Sequence, residues 1–158
     1  MSGADVPSFA AMDRDQRKKN MLSGLWIFAM FNYLYADIMT LMNPAILRKM
    51  VSGGVEGIQM TPEFLLAAAF LMETAIAMTF LARILPRSIN RWANMGAGLL
   101  NTAAVLASLT VGGPPPAYYI FFAAIEVTCT LFIIGYAWRW KVATAATNPQ
   151  VQVQGVSA

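Results

Sequence analysis

Five carboxyl or carboxamide side chains stand deep inside the long apolar runs of this 158-residue chain, away from the run ends: Asn32, Asp37, Glu73, Asn101 and Glu126. Carboxyl groups in such surroundings hold protons, bind cations or act as general acids and bases. Glu73 is the most conspicuous, set in FLMETAIAMTF, residues 70–80. Glu126 follows YYIFFAAI in the same manner. Other chemistries lack their residues. There is no histidine, which removes histidine-ligated haem and zinc and a histidine relay. A single cysteine, Cys129, cannot form the paired thiols of a disulfide-generating enzyme, and mid-span it reads as a small buried hydrophobe. No Walker A or GxGxxG sequence is present, so no nucleotide engine is expected. Neither a cofactor nor a metal site is expected from these residues.

What must position the acids is a membrane bundle. The chain is 58% hydrophobic and 12% charged, with a mean hydropathy of +0.54. A soluble domain carries roughly 25% charged residues. Four apolar runs, at about 21–42, 62–84, 92–111 and 117–138, account for the excess. Each is close to the ~20 residues that cross ~30 Å of hydrocarbon as a helix. Helices satisfy their own backbone in lipid, and no ~10-residue alternating segments of a β-barrel are seen. The expected fold is therefore all-α: an integral membrane four-helix bundle spanning 21–141. Residues 1–20 and 142–158 are read as flexible tails, and the first apolar run as an uncleaved span.

Lysine and arginine set the orientation. Arg14, Arg17, Lys18, Lys19, Arg83, Arg87, Arg91, Arg139 and Lys141 fall on one side, and only Arg48 and Lys49 on the other. The positive-inside rule then places both termini in the cytoplasm of an inner-membrane protein. The net charge of +3 is a topology signal, and no nucleic-acid partner is implied. NPAILRKMVSGG, residues 43–54, predicts a short outer-surface helix ended by Gly53 and Gly54. Thr61 and Pro62 should open the second span, and Ser88 or Asn90 should cap the third. Tyr118, Tyr119, Trp138 and Trp140 are expected in aromatic belts at the two membrane boundaries.

Depth and helical angle bring the polar groups together. Asn32, Glu73, Asn101 and Glu126 each fall near the middle of a span, and Asp37 about 7 Å nearer the outer face at 1.5 Å per residue. At 100° per residue, Asn32, Tyr33, Ala36 and Asp37 share a sector of span one. Ala69, Glu73 and Ala77 share one on span two. Asn94, Ala97, Gly98, Asn101, Ala104 and Ser108 do so on span three, and Tyr119, Phe122, Ala123, Glu126, Cys129 and Thr130 on span four. Small residues at helical spacing allow close helix approach. The expectation is one inward polar layer. An ionised acid at mid-membrane costs about 2.5–3.5 kcal/mol on the lenient scale, so Glu73 and Glu126 should not both be charged. Asn32 and Asn101 read more readily as interhelical hydrogen-bond glue, worth ~0.6 kcal/mol per bond. For Glu73 and Glu126 a binding role is favoured, because an amide would supply similar bonds without the risk of charge. Asp37 reads equally as a site residue or as an orienting group.

NYLYADIMTLMNP, the MET of span two, NRWANMGAG and YYIFFAAIE together resemble a family of small uncharacterised four-helix bacterial membrane proteins, over about residues 22–141. In size and layout the chain is also similar to the DoxX-like membrane proteins, some of which are redox-complex subunits. That likeness implies a partner or a bound quinone, since the chain has no redox ligands of its own. Three function classes follow. The first is proton-linked binding or transport of a small hydrophobic or cationic solute through Glu73, Glu126, Asp37, Asn32, Asn101 and Tyr33, as an oligomer. Small four-helix multidrug exporters are similar in using a midspan glutamate. The second is an accessory or scaffold subunit, ranked just behind. The third, well behind, is a small membrane enzyme using the carboxyls as acid and base.

Overall fold

A computed structural model describes residues 9–55, 58–110 and 114–140. Among these residues the chain forms α1 (Phe9–Leu41), α2 (Pro44–Val51), a hairpin of β1 (Gly54–Val55) and β2 (Ile58–Gln59), then α3 (Pro62–Ile84), α4 (Arg87–Ser108) and α5 (Ala117–Trp138). The four long helices close into a ring. α1 packs on α3 and α5, and α4 packs on the same two. Three helices, α1, α3 and α5, are long and apolar enough to cross a membrane. α4 stands outside that set because Arg91, Asn94 and Asn101 lower its hydropathy.

The local signals explain most boundaries. Asn43 accepts from the backbone N–H groups of Ala45 and Ile46 and starts α2, with Pro44 at the first helical position. Gly53, at φ +103°, turns the chain out of α2 through a conformation open to glycine. Thr61 accepts from Phe64 N at 3.2 Å and starts α3.

Several expectations are corrected. α1 begins at Phe9 and not near residue 21, so much of the supposed N-terminal tail is helix. No Pro or Gly interrupts residues 9–20, and Arg17 pairs with Asp13 one turn back at 2.9 Å. At 1.5 Å per residue α1 is about 50 Å long, more than a bilayer core requires. Pro86, not Ser88 or Asn90, precedes α4, and Asn90 turns inward. Trp138 is exposed, as a boundary residue would be, but Trp140 is 1% exposed. Its indole N–H donates to Asp15 at 3.1 Å, and Lys18 and Arg87 lie over its ring. The early start of α1 supplies Asp15 and Lys18. The hairpin was not anticipated. The C-terminal tail expected at 142–158 and the glycines of the outer turn lie outside the described residues.

The two halves of the bundle differ. The half holding the N-terminal part of α1 is solid: Leu22, Trp26, Ala29, Ala75, Met78, Ala82, Ala97, Cys129, Ile133 and Trp140 form its core. Threaded through it is a buried polar chain. Trp26 Nε1 donates to Asn94 Oδ1 at 2.8 Å, Asn94 Nδ2 donates to Asn90 Oδ1 at 2.6 Å, and Asn90 Nδ2 donates to the Ala82 carbonyl at 2.6 Å. These bonds tie α1, α4 and α3 together. Gly98 lets α4 lie against α5: a Cβ there would stand 2.8 Å from Ile134 Cγ1. Gly98→Ala should therefore destabilise the protein by roughly 1–3 kcal/mol, and Gly98→Val by more. Thermal unfolding in detergent tests this, and a Gly98→Val protein that melts with the parent would refute the close approach.

Candidate functional site

The other half of the bundle is hollow. A cavity of about 310 Å³ lies between the four long helices. That is at the low end of the ~300–1,000 Å³ typical of ligand sites. Tyr33, Ala36 and Asp37 line it from α1, and Phe64, Ala68, Leu71 and Met72 from α3. Asn101, Ala104, Val105 and Ser108 contribute from α4, and Tyr119, Ala123 and Glu126 from α5. The alanines, with Ser108, leave the space; large side chains at these positions would fill it.

The cavity deepens along the helices. Asp37, Phe64, Ser108 and Tyr119 stand towards the end that carries α2 and the hairpin, whereas Tyr33, Met72, Asn101 and Glu126 lie deeper. From Tyr119 to Glu126 the helical rise is about 10 Å. The mouth is braced by Tyr119, whose hydroxyl donates to Ser108 Oγ at 2.8 Å.

Glu126 forms the floor. It is 5% exposed, and its Oε1 has no hydrogen-bond partner among the described residues. The hydroxyl of Tyr33, also buried, lacks one as well. Both Tyr33 and Asp37 lie within electrostatic reach of the Glu126 carboxyl. Buried polar atoms are almost always paired, so two orphans in one cavity point to something that binds there. Below the floor, the backbone carbonyl of Glu126 accepts from Thr130 Oγ1 at 3.0 Å, and Thr130 meets Thr102 across the α4–α5 contact at 2.7 Å. That contact fixes the position of the Glu126 turn.

Of the residues singled out from the sequence, Tyr33, Asp37, Asn101 and Glu126 meet in this cavity. Asn32 and Glu73 do not line it. Asn32 is buried beside the cavity, and its amide donates back to the Phe28 carbonyl at 2.9 Å. Asn101 likewise donates within its own helix, to Ala97. The amide nitrogens of these two asparagines thus do not bridge helices. Other groups bridge helices, among them Trp26–Asn94, Asn90 to the Ala82 carbonyl, Thr102–Thr130, Tyr119–Ser108, and Ser23, whose hydroxyl donates to the Thr79 carbonyl and accepts from Arg83 Nε.

Glu73 is the main correction. It is exposed, and the buried face of α3 is instead Ala75, Met78 and Ala82. At 100° per residue Glu73 lies about 160° around the helix from Ala75. The alanines flanking Glu73 looked like a packing face, but α3 has alanines on both sides. The packing of Ala75, Met78 and Ala82 into the core decided the outcome. Tyr119 and Ser108 were not singled out as site residues. Their places on the inward faces of α5 and α4 were the signal that could have found them.

No curated protein and no solved structure matches the chain. A model of a family of unknown function, DUF6326, matches residues 10–147. It adds no link to the DoxX-like proteins.

Proposed function

Because the chain belongs to that family of unknown function, which brings no activity with it, we propose from its own geometry that it binds or transports a small cationic or hydrophobic solute, coupled to protons. On this reading it crosses the inner membrane four times, with both termini cytoplasmic. α4 joins α1, α3 and α5 as a span, the third in chain order: its 22 residues reach about 33 Å, and its asparagines turn inward, away from lipid. The distribution of lysine and arginine supports the orientation, which turns the mouth of the cavity outward.

The observation that carries the proposal is the buried, unpartnered Oε1 of Glu126 at the floor of a cavity with a second carboxyl, Asp37, above it. A carboxylate there attracts a cation, and Tyr33, Tyr119, Phe64 and Met72 offer faces suited to its apolar body. In the absence of a cation, a proton is the natural occupant of the same oxygen.

Tetraethylammonium is a suitable probe, because its charge does not change with pH. Parent protein in detergent should bind it, and Glu126→Gln should bind it at least about tenfold more weakly, a loss of about 1.4 kcal/mol or more. Glu73→Gln, outside the cavity, should bind as the parent does. Equal binding by parent and Glu126→Gln would refute the proposal. The second reading, a scaffold subunit, would then stand on the satisfied Trp26–Asn94–Asn90 chain, which needs no ligand.

A further inference from the structure

Glu73 stands eleven residues from either end of α3, about 16 Å along the helix, too far to reach a membrane surface. It points away from the bundle and makes no hydrogen bond to a described residue. Around it the outward face of α3 is apolar: Leu66, Phe70, Phe80 and Ile84 are all exposed. One turn on either side stand Ala69 and Ala77. α3 is also the least covered of the three apolar helices, with 11% of its most apolar window buried against 22% and 33% for α1 and α5. A lone carboxyl facing hydrocarbon is costly, so this face needs a covering surface that offers a hydrogen-bond donor and acceptor at mid-membrane.

We infer that the outward face of α3 is a two-fold interface between two copies of this chain, joined through their Glu73 carboxyl groups. Copies of one chain insert in the same orientation, so their symmetry axis runs along the membrane normal. That axis places the two Glu73 side chains at one depth and opposite each other. A carboxyl group carrying its proton has one O–H donor and one carbonyl acceptor. Two of them therefore satisfy each other with a pair of hydrogen bonds and leave no charge in the lipid. Ala69 and Ala77 let the two helices approach closely enough for this, as small residues do in membrane helix pairs. An unrelated partner would need a matching polar group at that depth; a second copy carries one by construction.

The full chain in lipid vesicles, labelled for energy transfer between copies and diluted stepwise with lipid, gives the dimer affinity. The parent should dimerise, and Glu73→Gln should remain a dimer because an amide also donates and accepts. Glu73→Leu should dimerise roughly tenfold more weakly. Ala77→Trp, which blocks approach without touching the acid, should also lose the dimer. In a Cys129→Ser background, Ala77→Cys should form a disulfide between copies. A monomeric parent, a dimer that Glu73→Leu leaves unchanged, or energy transfer that appears only with another protein present would each overturn the inference. Tetraethylammonium binding is measured in the same samples. Retained binding in monomeric Glu73→Leu separates failure of this interface from failure of the cavity.

Discussion

Asn94→Leu should cost the protein a large part of its stability, although the two side chains have the same number of heavy atoms and the same branching. Asn94 accepts the indole proton of Trp26 and donates to Asn90, and all three side chains are fully buried. Leucine at this position strands the Trp26 N–H and Asn90 Oδ1 where neither water nor another group reaches them. Each stranded group costs about 1–3 kcal/mol, against a total stability for a typical domain of about 5–15 kcal/mol. Thr102→Val is the useful contrast. It removes one hydrogen bond across α4 and α5, and the mean value for such bonds in membranes is ~0.6 kcal/mol. The double variant Trp26→Phe with Asn94→Leu should recover part of the loss, because it removes donor and acceptor together. Thermal unfolding of the four proteins in one detergent decides the matter. An Asn94→Leu protein as stable as Thr102→Val would mean that the polar chain does not hold this half of the bundle together.

Affinity for tetraethylammonium should rise steeply with pH, because the cation and the proton compete for the carboxyl oxygens of the cavity. Where one proton is displaced per cation bound, affinity changes by up to roughly tenfold per pH unit. The sign is fixed by the competition. Lower pH fills the carboxyl with a proton and weakens binding; higher pH empties it, and affinity then levels off. Glu126 and Asp37 are the acids that line the cavity, with Tyr33 and Tyr119 as the other titratable groups facing it. Glu126→Gln should flatten the profile, and Asp37→Asn should make it shallower while leaving binding measurable. Titrations from pH 5 to 9 on the three proteins provide the check. A parent profile that is flat, or that falls with rising pH, would remove the proton coupling and leave a simple cation site at most.

Composition and helical periodicity were enough to read the long apolar helices, the short helix opened by Asn43, and the inward faces of α4 and α5. α4 shows why. Its polar residues Asn94, Asn101 and Ser108 recur at helical spacing and share one side, so solvation alone dictates which side turns inward. Glu126, deep in α5 and flanked by Ala123 and Thr130 one turn away, was legible for the same reason. α3 is the opposite case. Between its end turns it is apolar all round with a single acid, Glu73, and alanines stand on both of its sides. Nothing in such a helix states its rotation; the fit of Ala75, Met78 and Ala82 against α1 and α4 sets it, and that fit turned Glu73 outward. Tertiary structure likewise decided that Trp140 is buried, since its partners Asp15 and Lys18 lie more than a hundred residues earlier in the chain. The cavity itself could not be read in advance. It is the space left where Ala36, Ala68, Ala104 and Ala123 from four helices fall at one level, and only packing brings them there.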